Sequence, residues 1–237
     1  MQAGCGMIEL DVTITKDRRI VVIHDDTLDR TTNGSGRVSD TSFPALRALD
    51  AGAWFDPAFA GERVPLLSKV LDAVGGRLRV NIEIKGWSLR GETYRGATIE
   101  TEVASLVRER GLSDSVIVSS FNPSALARMR RVAPELQRAL LFAGRASGPL
   151  GPALVIGLWA RALARAHALH PRAAAIDARW VKRMRARGFR VNVWTVDEPE
   201  EMRRMISAGV DGIITDYPGR LRAILDRRVD GGGVTPR

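Results

Sequence analysis

The sequence predicts an α/β fold of the (β/α)8 TIM-barrel class, one strand short of closure. Three observations point there. Short apolar strand patterns alternate with helical runs along most of the chain, and that alternation implies a parallel sheet. Polar residues gather at the C-terminal ends of these strands: Glu9 and Asp11, Glu83 and Lys85, Ser119 and Ser120, Thr195 and Asp197, Thr215 and Asp216. Active sites of such barrels form at that rim. The rival architecture, a doubly wound sheet, would need a glycine-rich dinucleotide fingerprint, and none follows any predicted strand.

Residues 7–15 alternate apolar and polar side chains, a strand pattern. Lys16 to Arg19 read as a turn, and 20–24 as a second strand close enough to pair only antiparallel. A turn centred near residue 17 sets His24 opposite residues 10 and 11. Residues 26–62 form a long excursion. It has a turn at 31–36, a short helix at 43–49 and an irregular stretch at 52–61 carrying Trp54, Phe55 and Phe59. A loop region of this length in a compact domain is usually functional. A helix at 67–74 is closed by Gly75 and Gly76.

Further strands are predicted at 79–84, 115–120, 138–142, 173–177, 190–195 and 211–215. Helices are predicted at 98–110, 123–132, 159–168, 179–187, 198–208 and 218–227. Counting 8–15 and leaving out the antiparallel 20–24 gives seven barrel strands, where closure takes eight. Residues 1–229 are expected to form one domain, and 230–237 a disordered glycine-rich tail.

A length of 237 residues suits one large α/β domain. The net charge of +9 comes largely from arginines on predicted helices, such as Arg179, Arg183, Arg185 and Arg187. A basic surface can meet nucleic acid, an anionic membrane or a phosphate-bearing substrate. No nucleic-acid-binding motif accompanies it, so no nucleic-acid partner is expected. The single cysteine, Cys5, excludes an internal disulfide and a cysteine-based zinc site. It fits a reducing compartment, and a cytoplasmic location is expected. No apolar run reaches transmembrane length, so stable membrane insertion is not expected. The N-terminus has neither the basic start nor the apolar core of a signal peptide.

Glu9 and Asp11 lie two positions apart on a strand and share a face, while Ile8, Leu10 and Val12 take the other. Buried together and unpaired, two carboxylates repel and are costly. Glu83, between Ile82 and Ile84, brings a third. Three carboxylates suit a hard divalent cation, Mg²⁺ or Ca²⁺, although acidic residues at strand ends are more often salt-bridge partners. Lys85 shares the face of Glu83, where it can offset charge or hold a phosphate oxygen. His24 has Asp25 beside it and acids facing it, which suits it to proton transfer near neutral pH. His167 and His170 are spaced like surface residues on a helix and its exit.

A family resemblance gathers these residues. Ile8-Glu9-Leu10-Asp11-Val12-Thr13, the Thr15-Lys16-Asp17 turn, Val22-Ile23-His24-Asp25 and Leu28-Asp29-Arg30-Thr31-Thr32-Asn33-Gly34 resemble the glycerophosphodiester phosphodiesterase signature. So do Pro65 before a helix, Asn81-Ile82-Glu83-Ile84-Lys85, Ser120-Phe121, Val193-Trp194-Thr195-Val196, and the run from Ala208 through Asp211 and Asp216 to Pro218. They keep family order over residues 3 to 220, and together are far more specific than any one motif.

The resemblance implies a (β/α)8 barrel that hydrolyses glycerophosphodiesters to an alcohol and glycerol 3-phosphate. It makes Glu9, Asp11 and Glu83 metal ligands and His24 one of a catalytic histidine pair. Lys85 would contact phosphate, Trp194 would line the mouth, and the 26–62 insertion would shape the glycerol end. Against the family pattern, a first strand ending His-Arg-Gly, a Pro-Glu-Asn segment and a first helix are missing. With them go the second histidine, a phosphate-binding arginine and a glutamate. Two alternatives follow: a catalytically impaired metal- or phosphoester-binding fragment, or a related lysophospholipid-type phosphodiesterase favoured by an apolar wall of Trp54, Phe55 and Phe59. The sequence leaves the oligomeric state open.

Overall fold

The computed structural model describes residues 4–85, 93–94, 97–144 and 165–230. Eight strands form one sheet: β1 (Met7–Ile14), β2 (Ile20–Val22), β3 (Arg79–Ile84), β6 (Val116–Ser120), β7 (Gln137–Phe142), β8 (Ala168–Pro171), β9 (Arg190–Val193) and β10 (Gly212–Ile213). Their order across the sheet is β10-β9-β8-β7-β6-β3-β1-β2. Every neighbouring pair is parallel except β1 with β2. A separate small hairpin pairs β4 (Thr93–Tyr94) with β5 (Ala97–Thr98).

The sheet curls like a barrel wall but stays open. Among the described residues β1 and β10 do not pair with each other. Between them lies a cavity of about 680 Å³, lined from one side by Gly4 to Glu9 and from the other by Asp211 to Asp216.

The helices are α1 (Phe43–Arg47), α2 (Leu67–Val74), α3 (Ile99–Glu109), α4 (Pro123–Val132), α5 (Ala178–Ala186), α6 (Pro199–Ala208) and α7 (Pro218–Asp230). Their starts follow local chemistry. The Asn122 side chain accepts from the Ser124 N–H to begin α4, and Asp177 accepts from the Trp180 N–H to begin α5, satisfying donors that have no partner within the helix. α6 ends at Gly209, whose φ of 79° suits glycine best.

The period-2 pattern of the strands decides which side chains meet the helices. Leu10, Val12 and Ile14 of β1 join Val80, Ile82 and Ile84 of β3 in a core under α2 and α3. Trp180 of α5 anchors a second core with Val191, Val193, Met202 and Met205. The alternate residues, Glu9, Asp11, Asn81 and Glu83, are thereby left facing the barrel interior.

The excursion has its own small core of Val21, Ile23, Leu28, Val38, Leu46 and Val64. That core turns a polar stretch into a folded insertion.

Two expectations need correction. The strand predicted at 173–177 is one turn of 3₁₀ helix at Ala173–Ala175, and the strand is β8 at Ala168–Pro171. Of the helix predicted at 159–168, residues 159–164 lie outside the described residues and Ala168 is already in β8. Alanine-rich composition favours helix only locally. Pairing of Ala168 with Ala139 and of Leu169 with Leu140 overrides it. The tail from 231 also lies outside the described residues.

Candidate active site

The carboxylates of Glu9, Asp11 and Glu83 each place an oxygen within 4.8 Å of the others. Register explains the convergence. Parallel pairing sets Glu9 beside Asn81 and Asp11 beside Glu83, so acids on one face of β1 and of β3 meet at the rim. Lys85, just past β3, anchors its backbone N–H on the Val12 carbonyl and brings Nζ to 3.0 Å from Asp11 Oδ1 and 3.2 Å from Glu83 Oε1.

Charge crowding shows in the proton affinities. Glu9 is pushed up to about 8 by loss of water and then by the facing Asp11 and Glu83, with Lys85 opposing. Glu9 keeps contact with solvent along the open seam, so like-charge repulsion is the firmer of the two causes. Burial also raises Glu83, against Lys85 and reinforced by Asp11. Burial alone would lower the Lys85 ammonium, but Glu83 and Asp11 outweigh it and raise it.

His24 stands at the same rim. The Ile23 N–H donates to the Asp11 carbonyl at 3.1 Å, which extends the β1–β2 pairing to the residue before His24. A proton on His24 would favour the ionised form of Glu83. Its ring Nδ1 lies 2.6 Å from Asp25 Oδ1. Arg30 closes on the same carboxylate, with Nε donating to Oδ2 at 2.6 Å and Nη2 to Oδ1 at 2.8 Å. Hydrogen bonds from Arg30 and His24 hold Asp25 well below the usual carboxylate range. Asp25 therefore stays an acceptor, and a proton on His24 Nδ1 is the one that faces it.

Trp194 follows β9 at this rim. Its indole Nε1–H donates to the His170 carbonyl at 2.7 Å, and Phe121 meets it edge to face with centroids 5.5 Å apart. Three other polar rim residues have structural partners. Thr215 donates to Asp197 at 2.9 Å, tying the ends of β9 and β10, and Ser120 donates to the Ile84 carbonyl at 2.9 Å.

Neither His167 nor His170 lies on a helix: His167 is exposed just before β8, and His170 is buried within it. The His167 ring accepts from the Arg138 N–H at 3.1 Å, before β8. His170 lies inside the sheet, 1% exposed, with Nε2 2.9 Å from Asn192 Nδ2. Burial drives its imidazole down to about 4, so it is neutral near pH 7. Asn81, His170 and Asn192 line the cavity between β1 and β10, a group of polar residues that the sequence did not bring together. The signal was available: each is a polar residue with apolar neighbours on a predicted or actual strand.

Comparison with known proteins places this geometry. Residues 1–220 match the family described as "Glycerophosphoryl diester phosphodiesterase family". The chain belongs to that family. The match takes in Glu9, Asp11, His24, Glu83, Lys85 and Trp194. A glycerophosphodiester phosphodiesterase of Caldanaerobacter subterraneus subsp. tengcongensis is 42% identical over 223 residues, covering 93% of this chain and 86% of that protein. One of Bacillus subtilis is 32% identical over 224 residues, covering 89% and 73%.

Among solved structures, a glycerophosphodiester phosphodiesterase of Agrobacterium tumefaciens superposes with a TM-score of 0.77 at 30% identity, covering 94% of this chain and 88% of that one. A phosphodiesterase of Oleispira antarctica, in complex with the product sn-glycerol-3-phosphate, gives 0.75 at 26% identity, covering 95% and 87%. The sheet of this chain is thus a curled, incomplete version of the glycerophosphodiester phosphodiesterase barrel. No described helix is long and apolar enough to cross a membrane.

Proposed function

We propose that this chain hydrolyses glycerophosphodiesters, with a divalent cation, to an alcohol and glycerol 3-phosphate. The observation that carries the reading is the meeting of three carboxylates, Lys85 and His24 at one rim. The donor set fits a hard cation: all oxygen, with one member protonated near neutral pH because its neighbours are also acidic. Glu9, Asp11 and Glu83 would hold Mg²⁺ or Ca²⁺, which when bound supplies positive charge to the phosphoryl oxygens.

The remaining work belongs to side chains of this chain. His24 Nε2, with its ring fixed through Nδ1 by Asp25, takes or returns a proton at the attacking or leaving oxygen. Lys85, whose Nζ stands beside Asp11 and Glu83, would hold a phosphoryl oxygen. Trp194, braced by Phe121, walls the glycerol end. The test is steady-state release of glycerol 3-phosphate from glycerophosphocholine with Mg²⁺ or Ca²⁺. Chelator and the Glu83→Gln variant should both abolish it. Turnover that survives both would refute the metal-dependent reading.

The open seam between β1 and β10 supports a second reading. Here the chain holds the cation site and His24 but turns over weakly, because an open sheet positions these groups loosely. A version carrying an N-terminal His-Arg-Gly strand should be far faster. Equal rates would dismiss this second reading.

A further inference from the structure

The insertion carries a feature that the rim chemistry does not use. Residues 53–63 are all exposed, eleven in succession, so the segment projects from the molecule. At its tip stand Trp54, Phe55 and Phe59, exposed by 49, 71 and 48%. Their rings form a chain, Trp54 edge-on to Phe55 at 5.8 Å and Phe55 tilted on Phe59 at 5.8 Å. Contiguous exposed aromatics mark an interaction surface.

The projection is built rigidly. Asp50 accepts three backbone N–H groups, from Gly52 and Ala53 on Oδ1 and from Gly61 on Oδ2. Asp56 accepts from the Ala58 N–H. The Trp54 indole N–H is tied to the Ala51 carbonyl at 2.9 Å. Gly52 packs so tightly that an added Cβ would sit 1.9 Å from the Phe59 carbonyl oxygen. The aromatics are therefore held out in water by a braced scaffold, at a standing hydrophobic cost that an interaction would relieve.

Shape and charge select the occupant. A rigid convex tip would need a matching pocket on a protein partner, whereas a fluid lipid interface needs none. Tryptophan and phenylalanine partition into the headgroup boundary, the indole N–H staying polar while the ring is covered. The charges of the projecting segment are Asp56, Glu62 and Arg63, a net of −1, which disfavours an anionic lipid surface. Arg30 lies over the Trp54 ring with Cζ 5.3 Å from its centroid, but its charge is balanced by Asp25, so the aromatic surface carries no net positive charge to draw anionic lipid.

We propose that Trp54, Phe55 and Phe59 dock this protein on a zwitterionic lipid surface. Arg30 joins that surface to the rim, since the same guanidinium holds Asp25, the partner of His24. The docked protein would present its site toward the interface.

The experiment reads binding, so its outcome is separate from that of the hydrolysis assay. The full chain is mixed with phosphatidylcholine vesicles and, separately, with phosphatidylglycerol vesicles, and bound protein is measured by flotation. Wild type should partition onto phosphatidylcholine, with a blue shift of tryptophan emission that Trp54→Phe removes. Phe55→Ser should weaken partitioning at least about tenfold, as expected for loss of one buried phenyl group. Its thermal midpoint should be unchanged, because Phe55 is the most exposed of the three. Three results would overturn the proposal: no partitioning of wild type onto phosphatidylcholine, binding to phosphatidylglycerol alone that Phe55→Ser does not alter, or a fall in self-association on Phe55→Ser that assigns the tip to a second copy.

Discussion

The raised proton affinity of Glu9 makes a quantitative prediction about metal binding. A proton and a cation compete for the same carboxylate. With its pKa at about 8, protonation weakens apparent affinity by about 100-fold at pH 6 and about tenfold at pH 7, and hardly at all at pH 9. Affinity should thus rise about tenfold per pH unit up to pH 8 and then level off. At pH 7 each ion bound should release close to one proton, shared among the coupled carboxylates rather than owned by Glu9 alone.

The sign for stability follows from the same shift. The folded, ion-free protein binds more protons than the unfolded chain between the ordinary carboxyl value of 4.5 and about 8. Its stability therefore falls as pH rises through that window. A bound cation neutralises the crowded charge, so the Mg²⁺-induced rise in thermal midpoint should grow from pH 5 to pH 8. Titration calorimetry in two buffers of different ionisation enthalpy counts the protons, and Glu9→Gln should flatten most of the slope. A dissociation constant that is level from pH 6 to pH 9, or an unchanged slope in Glu9→Gln, would refute this account of the cluster.

Other substitutions separate the remaining roles. His24→Ala should lower turnover by about 10²–10⁴, the usual worth of a general acid or base, and leave the cation dissociation constant unchanged. Asp25→Asn should lower kcat with little effect on KM, because it loosens the His24 ring without touching substrate. Lys85→Met should weaken competitive inhibition by glycerol 3-phosphate, and unaltered inhibition would remove Lys85 from the phosphate side. Gly52→Ala should cost more than about 1 kcal/mol, since the new methyl meets the Phe59 carbonyl. An unchanged thermal midpoint would show that the insertion is not braced there.

Much of the site could be read from sequence because strand period and site chemistry coincide. Glu9, Asp11 and Glu83 stand between apolar residues that belong to the helix-facing core, so a single rule about alternation put all three on one face. The turn near Asp17 likewise fixed the pairing that sets His24 at the rim, and the Val12–Val22 register agrees with it. What the sequence concealed is different in kind. His170 sits in a strand of alanine, leucine, histidine and proline, which has weak strand propensity and is held by pairing with β7 and β9. Burial of the ring depends on neighbours far along the chain, such as Asn192, and no local pattern announces them. The Asp25–Arg30 pair, and Arg30 over Trp54, are also tertiary facts. They join the candidate acid–base residue to the exposed aromatic tip through two side chains, and only the folded insertion brings them together.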